Sequence, residues 1–177
     1  MARPRTIDRE HLLDLAEEAI AATGAAGLSF GAVAAAAGLS KASVQSAFGT
    51  REALIEAMLE RWISQEKAQF EEVAGPRPTV RARIRAHVQT TAEGSDAGMR
   101  RVATLLAAMA GSAQQAGRAV EWYASRVADF AAATEEERRL RTAFLAAEGA
   151  FFMRYLVGYP MSDDLWREIF EDLKRLT

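Results

Sequence analysis

Apolar residues recur along most of this chain at intervals of three and four, the spacing that lines one face of an α-helix. Most glycines, and the prolines at 4, 76, 78 and 160, fall between the periodic stretches. Reading between those breaks predicts an all-α chain of about nine helices. The first runs from Asp8 to Thr23 on Leu12, Leu15, Ala16, Ala19 and Ile20. Two short helices follow, Ser29 to Ala37 and Ser40 to Phe48, and then a long one from Thr50 to Val73 on Leu54, Met58 and Trp62. Gly75-Pro76-Arg77-Pro78 is the clearest break and reads as a turn between helices.

Beyond it come Thr79–Glu93 on Val80, Ile84, Val88 and Thr91, and Ala97–Ala110 on Val102, Leu105, Leu106 and Met109. The next is Ala113–Ala133 on Val120, Tyr123, Val127 and Phe130. Thr134-Glu135-Glu136-Glu137 is a capping box that opens a helix to Val157. The last starts at Ser162 and carries Leu165, Trp166, Ile169, Phe170, Leu173 and Leu176. The expected organisation is an N-terminal segment over 1–50, a connecting helix over 51–74 and a helical bundle over 75–177.

Composition narrows the chemistry. Alanine dominates the 50% hydrophobic content, which favours helix and disfavours a β-sandwich. There is no cysteine, which excludes disulfides, thiolate-bound zinc and a cysteine nucleophile. The two histidines, His11 and His87, cannot build a His-rich metal site. No phosphate loop, dinucleotide fingerprint, HExxH or nucleophile–base–acid set is present, so no enzyme, metal or cofactor is expected. No apolar run reaches the ~18 residues that span a bilayer, and Met1-Ala2-Arg3-Pro4-Arg5-Thr6 leads into no apolar signal core. A soluble cytoplasmic protein with no membrane partner is the expectation. The net charge of −2 counts against a general polyanion binder.

The informative stretch is Ser29 to Phe48, S-F-G-A-V-A-A-A-A-G-L-S-K-A-S-V-Q-S-A-F. Two short helices meeting at a turn that carries Gly38 form a helix-turn-helix pattern, whose second helix can lie in a DNA major groove. Ala34 and Ala37 are small where the helices cross, Leu39 fills the turn and Val44 anchors the second helix. Lys41, Ala42, Ser43, Gln45 and Ser46 are left outward, small or polar groups suited to base edges and phosphates. Ser29, Ser40, Thr50 and Arg51 stand at helix starts, where free backbone N–H groups bind phosphate. Arg3 and Arg5 precede the first helix as a candidate minor-groove arm. Alanine-rich helix pairs with a glycine turn also occur in bundles without a DNA role, so the turn alone leaves both readings open.

The bundle says less. The eighth helix has two apolar stripes, Leu140-Phe144-Ala147-Phe151-Tyr155 and Leu145-Gly149-Phe152-Leu156. A helix apolar on two faces is either deeply buried or at an interface. The first stripe, with Trp166, Phe170 and Leu173 of the last helix, is a candidate for self-association or for an intrachain core. His87, Met109, Trp122, Tyr123, Phe130 and Phe152 combine bulk with polar tips and are candidates for a small-molecule pocket.

The run Leu12-Leu13-Asp14, Gly24, Ser29, Val33-Ala34, Ala37-Gly38-Leu39-Ser40-Lys41, Phe48 and Arg51-Glu52-Ala53-Leu54 resembles the TetR family of transcriptional repressors, over residues 8–62. The resemblance implies a homodimer that binds a palindromic double-stranded DNA operator. It also implies a helical effector-binding domain and a four-helix interface from the last two helices of each copy. It turns the helix pair toward DNA binding. For the interface it favours Phe144, Ala147, Phe151, Tyr155, Trp166, Phe170 and Leu173. Two departures stand out. Gln45 and Ala47 occupy positions where the family commonly has tyrosine, and no base lies near Gly31-Ala32. The expected function is a ligand-responsive repressor. The alternatives are an activator of the same family, or a helical module that has lost DNA binding.

Overall fold

In the computed structural model the described residues are 8–24, 27–109, 113–126 and 132–177, without the side chains of 21, 108, 109, 113–116 and 118. They form α1 (Arg9–Thr23), α2 (Phe30–Ala37), α3 (Lys41–Phe48), α4 (Arg51–Ala74), α5 (Val80–Glu93), α6 (Asp96–Met109), α7 (Ala113–Arg126), α8 (Glu135–Phe151) and α9 (Asp163–Leu176). No strand occurs among the described residues. The chain divides into two compact units, Met1–Trp62 and Ile63–Thr177. The division falls inside the continuous 24-residue α4. The first turns of α4 bury Leu54, Ile55, Met58 and Leu59 and so belong to the N-terminal unit.

That unit closes on Leu12, Leu13, Ala16 and Ile20 of α1, Leu28 ahead of α2, Val33 and Ala34 of α2, and Val44 and Phe48 of α3. Local chemistry sets its helix ends. Asp8, Ser29 and Ser40 cap α1, α2 and α3 by accepting the backbone N–H of His11, Ala32 and Ser43. Gly38 ends α2 in the left-handed region at φ 63°, and the Leu39 N–H returns to Ala34 O at 2.9 Å. A side chain at Gly38 would strain that turn.

In the second unit α5, α8 and α9 pack on one another. Ile84, Ala86 and Val88 of α5 meet Leu140, Ala143, Phe144, Ala147 and Phe151 of α8 and Trp166, Phe170 and Leu173 of α9 in a shared core. The capping box on α8 is present. Thr134 Oγ1 accepts the Glu137 N–H, and Glu137 accepts the Thr134 and Ala133 N–H groups. Those bonds to its charged form, the Thr134 backbone first, hold the Glu137 carboxyl below its ordinary value.

Three expectations change. The interface candidates Phe144, Ala147, Phe151, Trp166, Phe170 and Leu173 are all buried within a single chain, and Tyr155 is half-buried. They form the intrachain core, because α5 and α9 cover that stripe of α8. The second stripe is the outer one: Leu145 is 52% and Leu156 41% exposed, and Gly149 is open to solvent. The second change is at the end of α8, where Phe152–Leu156 form a π-helical turn instead of α-helix. The Arg154 guanidinium within that turn bonds Asp163 and lies 5.1 Å over the Trp166 ring. The third is the face of α7. Val120 points outward at 68% exposure, while Trp122, Tyr123 and Arg126 turn inward.

Candidate nucleic-acid interface and a buried polar cluster

Helix α3 buries Val44 and Phe48 and leaves Lys41, Ala42, Gln45 and Ser46 exposed on one face. Ser43, expected outward as well, is half-buried and lies 2.8 Å from Ser40 Oγ to Oγ. Ser29, Ser40 and Thr50 are exposed and each caps its helix, Thr50 by accepting the Ala53 N–H. Arg51 is half-buried, and its Nε donates to the Leu28 carbonyl at 3.0 Å. This clasps the start of α4 to the chain entering α2. Arg3 and Arg5 lie outside the described residues.

The acids of this unit are partly spoken for. Arg61 of α4, its side chain 14% exposed, bonds Asp14 at 2.8 Å and also Glu17, and lies 3.5 Å from Glu10. All three are on α1, so one buried-edge guanidinium offsets part of an acidic face and binds α1 to α4. Arg9, the first residue of α1, places its guanidinium over the Phe48 ring, 4.7 Å from the ring centroid. Arg9 is not among the residues that the sequence pattern singles out. Its position at a helix start was the signal available, but nothing local tied it to α3.

The second unit holds a buried polar cluster. His87 of α5, almost fully buried, brings Nε2 within 2.8 Å of Glu148 Oε1 on α8, in contact but without the alignment of a hydrogen bond. Tyr123 of α7 donates to Glu148 Oε2 at 2.6 Å. Burial first, and then the Glu148 charge and hydrogen bond, raise the Tyr123 hydroxyl far above its ordinary value, so it stays a donor. Next to it, Trp122 Nε1 donates to Glu66 Oε2 of α4 at 3.1 Å, and Arg126 bonds the same oxygen. The Arg126 guanidinium also lies 3.6 Å over the Phe70 ring. Burial lowers Arg126 to about 10, which leaves it charged at neutral pH.

His87, Trp122 and Tyr123 are thus brought together, with His87 ring to ring against Phe144 at 4.5 Å and Trp122 at 6.1 Å. Phe152 meets Phe151 edge-on at 5.8 Å, outside this group. Phe130 and the Met109 side chain lie outside the described residues. Glu66, Arg126 and Glu148 were missed by the sequence reading. The signal was a charge set inside an apolar stripe, as with Glu148 between Phe144 and Phe151.

Residues 12–58 match the family model of bacterial regulatory proteins of the tetR family, and residues 81–177 match that of the tetracyclin repressor-like C-terminal domain. A transcriptional regulator from Rhodococcus sp. RHA1 superposes with a TM-score of 0.72 at 22% identity, over 96% of this chain and 95% of that one. A TetR-family regulator from Rhodococcus sp. gives 0.73 at 20% identity, over 95% and 97%. The multidrug binding protein EbrR, solved with imidazole, gives 0.63 at 23% identity, over 94% of each chain. At such identities the likeness speaks for the fold alone. Comparison with curated proteins gave no match. Since the C-terminal model alone covers more than half of its length and the N-terminal model covers the helix-turn-helix, the chain belongs to the TetR family and is a DNA-binding transcriptional regulator, not an enzyme.

Proposed function

We propose that the chain is a ligand-responsive repressor that binds a palindromic operator as a homodimer in the cytoplasm. The observation that carries the reading is the outward face of α3, where Lys41, Ala42, Gln45 and Ser46 stand together on a helix pinned by Val44 and Phe48. Gln45 offers a bidentate contact to adenine, and Ala42 an apolar contact to a thymine methyl. Repression needs only that the bound dimer exclude polymerase from its site. Selection of bound sequences from a random duplex pool should return an inverted repeat, its half-sites one helical turn or a multiple apart. Recovery of no preferred sequence overturns the reading. Gln45→Ala should cost about 1–3 kcal/mol and relax the choice at one base pair per half-site.

Self-association is supported by the outer stripe of α8. Leu145, Met153, Leu156 and Val157 are exposed, with Leu165 and Leu176 exposed on α9. Exposed apolar patches of this kind mark interaction sites. Gly149 lies in the same stripe, and a Cβ there would meet open space within one chain. Leu156→Glu should convert the dimer to monomer in sedimentation velocity with the helical content unchanged. A dimer that survives the substitution rules out this face.

The effector reading rests on the cluster around Trp122. Glu66 sits on α4, the helix that continues into the DNA-binding unit, and is held by Trp122 and Arg126 of α7. An effector that takes either donor away from Glu66 frees α4 from α7. It shifts DNA affinity only as far as it binds the two states unequally. EbrR, one of the similar folds, has been solved with malachite green as well as imidazole, which favours an aromatic effector here.

A further inference from the structure

We propose that Arg9 is a phosphate-contacting residue of the DNA interface, held in place by Phe48, and that it acts with Lys41 from opposite ends of the recognition helix. The proposal rests on the reading of α3 as that helix. The N-terminal unit has four described bases: Arg9, Lys41, Arg51 and Arg61. Arg61 is enclosed by Glu10, Asp14 and Glu17, and Arg51 is bonded to Leu28 O. Arg9 and Lys41 are exposed, and among the described residues no carboxylate pairs with either.

Their placement is not arbitrary. Lys41 is the first residue of α3, and Phe48, under the Arg9 guanidinium, is the last. At 1.5 Å per residue the two ends of α3 are ~10.5 Å apart, so the two cations are well separated along the helix. A helix lying in the groove therefore offers one cation near each of its ends, within reach of phosphates that line the groove. Phe48 is only 7% exposed and cannot swing away, so its ring is a fixed platform. A guanidinium stacked on a ring keeps its N–H fork available in its own plane, the geometry that phosphate oxygens accept.

Helix stability does not account for the residue. A cation in the first turn of a helix sits at the positive end of its dipole, where it is disfavoured. The Phe48 ring contact, a weak attraction for an exposed cation–π pair, does no more than offset that cost, and a phosphate contact gives the cation its use there. Two correctly placed cations also explain how a unit with more acids than bases binds DNA.

The test uses the full chain and a random-sequence DNA duplex several turns long, with affinity read by fluorescence anisotropy across a range of salt concentrations. Arg9→Ala should make the slope of log affinity against log salt shallower by about 1 per protomer, as should Lys41→Ala. Near 0.1 M salt each should weaken binding about fivefold to tenfold per protomer engaged, with an unchanged melting temperature. Arg9→Lys should keep the wild-type slope with reduced affinity, because the charge remains and the stacked fork is lost. An Arg9→Ala slope equal to wild type, beside a shallower Lys41→Ala slope, overturns this proposal alone. A drop in melting temperature that accounts for the lost binding assigns Arg9 a structural role and also overturns it. Absence of any salt-dependent binding by the wild type removes the reading of α3 itself.

Discussion

Phe170→Ala should lower the stability of the chain by about 3–5 kcal/mol, the range for truncating a buried aromatic side chain. Phe170 is 1% exposed and stacks against Trp166 at 4.4 Å between ring centroids. Removing the ring takes away apolar burial and leaves a cavity that α5, α8 and α9 cannot close, because their backbones are held by the rest of the core. Urea denaturation followed by circular dichroism reads the loss. The same loss should appear in the Leu156→Glu background, where the chain is expected to be monomeric. A Phe170→Ala variant that alters self-association but keeps its unfolding midpoint in that background would return Phe170 to an interface.

Glu66→Leu should be destabilising by about 3–5 kcal/mol, because it strips a buried cation of its partner. The Arg126 side chain is 4% exposed and that of Glu66 16%. Lowered to about 10 by burial, Arg126 still cannot shed its proton near neutrality to escape the cost. The Trp122 indole N–H loses its acceptor at the same time. Arg126→Met should cost far less, since it fills the space under Phe70 with an apolar chain and leaves Glu66 at the edge of solvent with its Trp122 bond. The double variant should recover most of the loss, as expected when an ion pair is exchanged for apolar packing. Glu66→Leu unfolding within about 0.5 kcal/mol of wild type would show that Arg126 is satisfied elsewhere.

The two experiments probe the places where local pattern and tertiary arrangement part company. The eighth helix carries Leu140-Phe144-Ala147-Phe151 and Leu145-Gly149-Phe152-Leu156 at equally good helical spacing. Nothing in the periodicity says which stripe α5 and α9 will cover. The larger side chains suggested the interface, yet those are the ones the chain buries in its own core. Similarly, Val120 and Tyr123 fit one stripe on paper, but the inward face of α7 takes Arg126 and leaves Val120 in solvent. Arg126 is admitted only because Glu66 and the Phe70 ring arrive from α4.

The π-helical turn after α8 had no sequence signal that we can identify. The starts of α2 and α3 did, because caps are decided within three residues. Ser29, Ser40 and Gly38 occupy the positions their chemistry suits, and the helices begin and end beside them.

What the amino-acid order settles unaided is therefore local and periodic: an all-helical chain, its breaks, the caps, the αL glycine of the turn and the polar face of α3. Each of these depends on residues within about one helical turn of one another. What required the folded chain is every pairing across elements: Arg61 with the acids of α1, Arg9 with Phe48, Glu66 with α7, and the stripe of α8 that faces inward. Such contacts join residues far apart in sequence. Helical periodicity marks a face as apolar but carries no record of what covers it.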